Sequence, residues 1–425
     1  MEHEKINLGG NTTLNLIKTN KFKNIIVLLS FKGIVSEENV TYLNLLARIL
    51  PKATKKYPSM NLMESYLESN YGARLTAFSE IFGNINTLNF FSIFVDEKYL
   101  RKSDNLLEEQ FKLLNDVLFN PFVSDNKFDE KYFKERKTNY VSYLKLLEND
   151  KGYQSSKGLK KMLNRLHPSS IMGVGYEEIA VNINNEDLYK KYQEVLTWPL
   201  DIYVLGDVRK EHITALIEKY LNVKNHETDF QFKPIHKYED EEFEEKVEPL
   251  PFYQSQLLQA YYLDLDDNPK NRYIGLVFNT LLGGGTGSNK LYNVVREQHG
   301  LCYSIYSIFY WTYSLLYISA GISFANYEKA TSLINEVITS IKNNDVSDDE
   351  FKMAKLICLS HIQTQFDSIS STLTFHIKDN LLGQVISKEE YEENVKNVTK
   401  EEVVEFAKKV KLIKQFLVKE SKEGN

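Results

Sequence analysis

Residues 281 to 304 read LLGGGTGSNKLYNVVREQHGLCYS. Three glycines, a threonine, a fourth glycine and a nearby lysine suggest a phosphate cradle. The spacing denies it. A P-loop needs Gly, four residues, then Gly-Lys-Ser/Thr, so that the lysine reaches the phosphates and the hydroxyl reaches magnesium. Here Gly287 is followed by Ser288 and Asn289, and Lys290 by Leu291. The dinucleotide pattern G-x-G-x-x-G fails as well, because Ser288 stands where its last glycine belongs. A structural reading fits better. Ser288 and Asn289 are good helix N-caps. Leu291, Val294 and Val295 share one helical face, and Gly300 suits a helix C-cap. LCYSIYSIFY (301–310) then reads as an aromatic, β-branched strand. The unit is therefore glycine turn, short helix, turn and strand. It leaves Arg296 near the helix end and Tyr303 on the strand, two polar groups able to face one space.

Working outward, the chain of 425 residues is long enough for two large domains or about three smaller ones. A composition of 42% hydrophobic and 26% charged residues is that of a globular protein. A net charge of -6 and a pI near 5.9 give no support for a nucleic-acid or membrane-surface partner. Cys302 and Cys358 are too few for a disulfide framework, which points to a reducing compartment. MEHEKINLGGNTT has neither the basic nor the apolar region of a signal peptide. Apolar runs such as NIIVLLSF are strand length, far short of a membrane span. A soluble, cytoplasmic protein is expected.

The clearest break is the acidic, proline-ended stretch HKYEDEEFEEKVEPLPF, residues 236–252. It divides the chain into an N-terminal domain, 1–235, a linker, 236–250, and a C-terminal domain, 251–425. The halves look alike. Residues 71–96 and 299–323 each read as two strands joined by a short turn. Each pair is followed by an amphipathic helix, LRKSDNLLEEQFKLLNDVLF or ANYEKATSLINEVITSIKN. Each helix is followed by a Val-Ser-Asp that opens a long helix, at 123–144 and 346–364. The recurrence, at an offset of about 225 residues, signals internal duplication. Strand pairs joined by short turns, with helices between them, predict an α+β fold of two tandem homologous αβ domains.

Hydrolytic chemistry is not legible locally. The histidines are His3, His167, His212, His226, His236, His299, His361 and His376, and none has another within five residues. There is no H-x-x-x-H, H-E-x-x-H or H-x-x-E-H, hence no local nucleus for zinc, which takes three protein ligands in a catalytic site. No G-x-S-x-G elbow supports a serine hydrolase. Cys302, in an apolar strand, reads as packed rather than nucleophilic.

At this point the glycine-rich stretch resembles the C-terminal-domain signature of the insulinase/pitrilysin-like metallopeptidases, the group that includes mitochondrial processing peptidase. That signature is a glycine-rich turn, Ser, a short helix carrying Arg-Glu, Gly-Leu and a Tyr-Ser strand. ATKKYP (53–58), YGARLTAF (71–78) and IMGVGYEEIAVNINNEDLYKKYQEVL ending in DIYVLGDV (171–208) extend the similarity along nearly the whole chain. The resemblance implies the metallohydrolase-like fold of the processing-peptidase type, an antiparallel sheet with helices on one face in each domain, closing on a peptide.

The resemblance also implies what has been lost. Active members carry H-x-x-E-H on a helix before the segment that matches ATKKYP. The two histidines bind zinc, and the glutamate is general base for the bound water. Asn44, Leu45, Leu46, Ala47 and Arg48 stand there, so Asn44 and Arg48 replace the histidines and Ala47 the glutamate. The third ligand lies seven residues beyond a Glu-Arg pair. Glu135-Arg136 keeps that pair, but the ligand position is Ser142. The resemblance thus places the chain in the bacterial subgroup that lacks the zinc motif, with no metal of its own and no peptidase activity alone. Arg296 and Tyr303 keep the spacing of the pair that, in active members, holds the substrate carbonyl and assists the oxyanion. Such donors are worth about 3 kcal/mol each. Gly284, Gly285 and Ser288 are expected at the substrate. Some bacterial members divide the work, one chain holding H-x-x-E-H and zinc, the other the Arg/Tyr pair. The expected role is the second, in a heterodimer with a zinc-bearing paralogue. The alternative is a homodimeric peptide-binding or scaffold protein without enzymatic activity.

Overall fold

The computed structural model describes residues 1–100, 105–221, 238, 240, 242–285 and 289–421. Its chain divides into two compact units. One comprises Met1–Lys145, Met172–Lys233 and Ser368–Leu381; the other comprises Leu146–Ile171, Pro234–Asp367 and Leu382–Asn425. Each unit therefore includes a segment from the opposite half of the chain.

The strands of the first unit are β1 (Glu2–Gly9), β2 (Thr12–Lys18), β3 (Asn24–Ile34), β4 (Arg74–Phe82), β5 (Ile85–Val95), the short β6 (Val123–Ser124) and β7 (Lys127–Phe128), and β8 (Leu200–Gly206). The main sheet runs β1-β2-β8-β3-β5-β4, with only β2 and β8 parallel. The second unit holds β9 (Glu244–Leu250), β10 (Ser255–Leu263), β11 (Cys302–Tyr310), β12 (Leu315–Ile322) and β13 (Val410–Glu420). Their order is β11-β12-β10-β13-β9, with only β13 and β9 parallel. Read inward from β4 and from β11, the two sheets repeat the same succession of three antiparallel pairings and one parallel pairing. The duplication visible in the sequence is a duplication of sheet topology.

Both hairpins form where they were expected, β4–β5 about Gly83-Asn84 and β11–β12 about the turn Trp311–Ser314. The amphipathic helices follow as Leu106–Phe119 and Tyr327–Lys342. The two Val-Ser-Asp sequences differ. Ser347 caps the helix Asp348–Gln365 in a complete capping box with Glu350. Val123 and Ser124 instead form a strand turn, because Asp125 and Asn126 both take left-handed backbone (φ 50 and 58). The helix Glu130–Leu147 starts later, with Asp129 accepting from the Tyr132 amide. Residues Glu244–Leu250, within the acidic stretch, are the edge strand β9. Its glutamates and Pro249 are the residue types that keep an exposed edge from pairing further.

Helices pack on both faces of each sheet's central strands, while β4 and β11 keep one face open. NIIVLLSF is continuous rather than alternating in hydrophobicity, the pattern of a strand buried on both sides. On one side of β5, Ser92 hydrogen-bonds Gln110 of the helix Leu106–Phe119 at 2.9 Å. On the other side, Leu373 of the helix Ile369–Leu381 packs with Ile17, Ile26, Leu28, Tyr203 and Leu205. In the second unit the helix Lys151–Met162 plays the equivalent part, with Leu159 and Met162 among Ala260, Tyr262, Phe416 and Val418. The larger core, on the opposite face of that sheet, gathers Leu257, Tyr261 and Leu417 with Val277, Phe278, Ile334 and Val337. Burial of about 25 cal/mol per Å² of apolar surface on two faces gives each sheet a rigid frame. No helix among the described residues is long and apolar enough to cross a membrane.

Candidate functional site

The glycine turn ends one helix and begins another. Gly283 caps the helix Asn271–Leu282, and its carbonyl accepts from the Ser307 amide of β11 at 3.0 Å. A β-carbon on Gly284 would lie 2.9 Å from the Asn279 main-chain oxygen, too close for any residue but glycine without a shift of the backbone. Gly285 is exposed and has φ +79, the left-handed region. Ser288, expected at the substrate, lies outside the described residues. Asn289 Oδ1 accepts from the Tyr292 amide at 2.9 Å, the expected cap. The turn that follows, Tyr292–Gln298, is π-helical, a wider winding that recurs at functional sites. Leu291 and Val295 are fully buried and pin it to the core. Gly300 (φ +63) then reverses the chain into β11.

Tyr303 sits at a bulge. Cys302 pairs with Ile322 and Ser304 with Gly321, which leaves Tyr303 unpaired and turns its side chain outward. It is 79% exposed. The Arg296 guanidinium stands 5.6 Å from the Tyr303 ring centroid and 4.7 Å from that of Tyr292. Its nearest acid, Glu297, is 3.8 Å away, a loose surface pair worth little. The two residues expected to face one space do so, on the surface of the second unit. Tyr292, which shelves the guanidinium, was not singled out; its position one turn before Arg296 was the available signal. Cys302 is half-buried, and burial pushes its thiol up to about 11, opposed by Arg296. Such a thiol is no nucleophile at neutral pH.

In the first unit, Asn44, Ala47 and Arg48 share one face of the helix Glu37–Ile49. Asn44 Nδ2 donates to the Val40 and Gly173 carbonyls, both at 2.9 Å. Arg48 Nη1 donates to the Asn44 carbonyl at 2.9 Å and to Asn44 Oδ1 at 3.3 Å. The Arg48 guanidinium lies 4.5 Å from the ring of Tyr140 and 5.2 Å from that of Tyr143. Burial pulls its pKa down, with the two phenols opposing. Tyr140 is fully buried and donates to the Val174 carbonyl at 2.8 Å. Ser142 is exposed. Ala47 is buried.

These residues do not fit zinc. The metal takes thiolate, imidazole or carboxylate. Here an amide engaged with main-chain carbonyls, a methyl group and a permanent cation occupy the face instead. Among the described residues no group of three or more His, Cys, Asp or Glu is placed to hold a metal ion.

Residues 182–358 match the family model described as the Peptidase M16 inactive domain. The chain is 26% identical, over 96% of each sequence, to the Bacillus subtilis protein described as probable inactive metalloprotease YmfF. The chain is thus similar to inactive-type M16 peptidases, by the family model over its middle and by one relative over nearly its whole length. A second relative, the uncharacterized zinc protease YmxG of B. subtilis, is 24% identical over 76% of this chain and 79% of its own. The fold is also that of a conserved Enterococcus faecalis protein of known structure, with TM-score 0.92, 24% identity and complete coverage of both chains. The insulinase-like resemblance agrees with these similarities, and the αβ architecture with that of the solved structure.

Proposed function

We propose that this M16 homologue is the non-zinc subunit of a heterodimeric zinc peptidase. It supplies peptide-binding surface and the Arg296/Tyr303 pair; a paralogue of similar length supplies H-x-x-E-H, the zinc and the general base. The observation that carries this reading is the juxtaposition of Arg296 and Tyr303. A π-helical turn, a left-handed Gly300 and a strand bulge bring a half-buried guanidinium and an exposed phenol side by side. Donors held in place before reaction are what a developing oxyanion requires. B. subtilis supports the division of labour, since relatives described as inactive and as a zinc protease occur in one organism. Gly285, exposed beside the helix end, would meet the peptide backbone. Gly284 would act through the turn, because its amide is engaged by the Asn279 carbonyl at 2.6 Å. The cytoplasm is the proposed compartment.

Arg296 is also shelved by Tyr292 of its own chain. That favours, as second reading, a homodimeric non-enzymatic protein in which the same patch binds peptide or forms scaffold. Co-expression with the H-x-x-E-H paralogue of the same genome separates the two. In the first, the complex cuts peptides, and Arg296→Ala or Tyr303→Phe lowers kcat without loss of assembly. Full activity of both variants would contradict it.

A further inference from the structure

A guanidinium withdrawn from water is normally matched by an acid, because desolvation disfavours an unpaired charge. Arg48 has no such match. Among the described residues its polar contacts are both with Asn44, and Nη1 makes both of them. Nε and Nη2 have no acceptor among the described residues. The surroundings hold the group still. Asn44 is fixed by its bonds to Val40 and Gly173, so its carbonyl-type oxygen stays turned to Arg48. Tyr140 is fixed by its bond to Val174 and by Gly175, where a β-carbon would come within 2.1 Å of the phenol oxygen. Tyr143, 39% exposed, forms the open side. The site is a guanidinium fork on an aromatic floor, reachable from solvent, with two nitrogens unengaged.

We infer that Arg48 forms a carboxylate-binding site in the first unit, taking the C-terminal carboxylate or an acidic side chain of a bound peptide. The planar fork matches a carboxylate through two parallel N–H···O bonds. Among the described residues, the side chains against the Arg48 guanidinium are Asn44 and the two tyrosines. One fixed positive charge suits a monoanion, whereas phosphate groups are usually met by clusters of arginines. This inference does not rest on a zinc-bearing partner, and it is tested on this chain alone.

The experiment is a titration of the full-length ¹⁵N-labelled protein followed at the arginine Nε–Hε resonances. The Arg48 signal is the one lost in Arg48→Lys, with Arg48→Gln as a second assignment variant. Sodium acetate should move that signal saturably, and sodium chloride at equal ionic strength should not. Short peptides with a free C-terminus should act at concentrations at least tenfold lower than their C-terminal amides. If amidated peptides containing aspartate act equally well and their asparagine counterparts do not, the carboxylate is the side chain's. Inorganic phosphate acting at lower concentration than acetate would overturn the monoanion assignment. An Arg48 signal that none of these carboxylates moves would overturn the site.

Discussion

Arg296 stands 5.6 Å from the ring of Tyr303, although a change from helix to strand separates them. Three local departures from regular structure create the pairing: the π-helical turn, the positive φ of Gly300 and the bulge at Tyr303. A plain helix–strand connection would lack all three. Their concurrence at one half-buried cation and one exposed phenol supports the proposed role of the pair.

Removing either donor should therefore cost rate, not assembly. In the reconstituted complex Arg296→Ala and Tyr303→Phe are expected to lower kcat by roughly 100-fold each, the usual loss for one oxyanion donor. KM and the thermal midpoint should change little, since Tyr303 is 79% exposed and Arg296 has no strong ion pair. Steady-state kinetics beside a melting curve checks both.

Two glycines should resist the smallest substitution. Gly175 has φ +91, and a β-carbon there would lie 2.1 Å from the Tyr140 phenol oxygen and 3.1 Å from the Thr41 backbone. Gly175→Ala is expected to cost about 2–4 kcal/mol in urea unfolding, from strain plus overpacking. At Gly158, within a helix, alanine's intrinsic preference would add about 1 kcal/mol. The β-carbon would come within 2.0 Å of Phe416, however, so overpacking of roughly 1–3 kcal/mol wins and Gly158→Ala also destabilises.

Stability should fall in mild acid through His376. The ring is buried, packs edge-on to His3 with centroids 4.9 Å apart, and burial drives its pKa down to about 3. In the unfolded chain the group titrates near its ordinary 6.5. Between those values the unfolded state binds a proton that the folded state does not. The stability present above about pH 6.5 is then lost as pH falls toward 3, at up to about 1.4 kcal/mol per pH unit. Urea unfolding at pH 7 and pH 5 should show a larger drop for the wild type than for His376→Gln, which cannot titrate. Equal drops would place the acid sensitivity elsewhere.

Cys302 should be slow toward alkylating reagents. Its thiol is pushed up to about 11, so the reactive thiolate is scarce at neutral pH. Arg296 pulls in the opposite direction. Iodoacetamide labelling should accelerate steeply as pH rises toward 11, and should slow further in Arg296→Ala. Rapid labelling of Cys302 at pH 7 would contradict the described environment.

The sequence made the frame legible where periodicity and turn residues are strong. YGARLTAFSEIFGNINTLNFFSIFVD alternates and turns at Gly83-Asn84, and it is a hairpin. NIIVLLSF is apolar throughout, which foretold burial on both faces but not what covers the second face. That cover, the helix Ile369–Leu381, comes from more than 300 residues away along the chain, and no local pattern encodes such a partner. The pair Arg296/Tyr303 was legible through its spacing. The environment of Arg48 was not, because Tyr140 and Tyr143 reach it from another helix and only three-dimensional packing joins them. The second Val-Ser-Asp became a helix cap and the first a strand turn. The difference rests on Asn126, which accepts left-handed backbone, against Asp349, which continues a helix.

Whether a zinc-bearing relative completes this chain is read from tagged purification out of the native cell, in the stoichiometry and zinc content of what co-purifies. A one-to-one partner of similar length that carries H-x-x-E-H and one zinc ion is expected. A zinc-free assembly containing only this chain would contradict it.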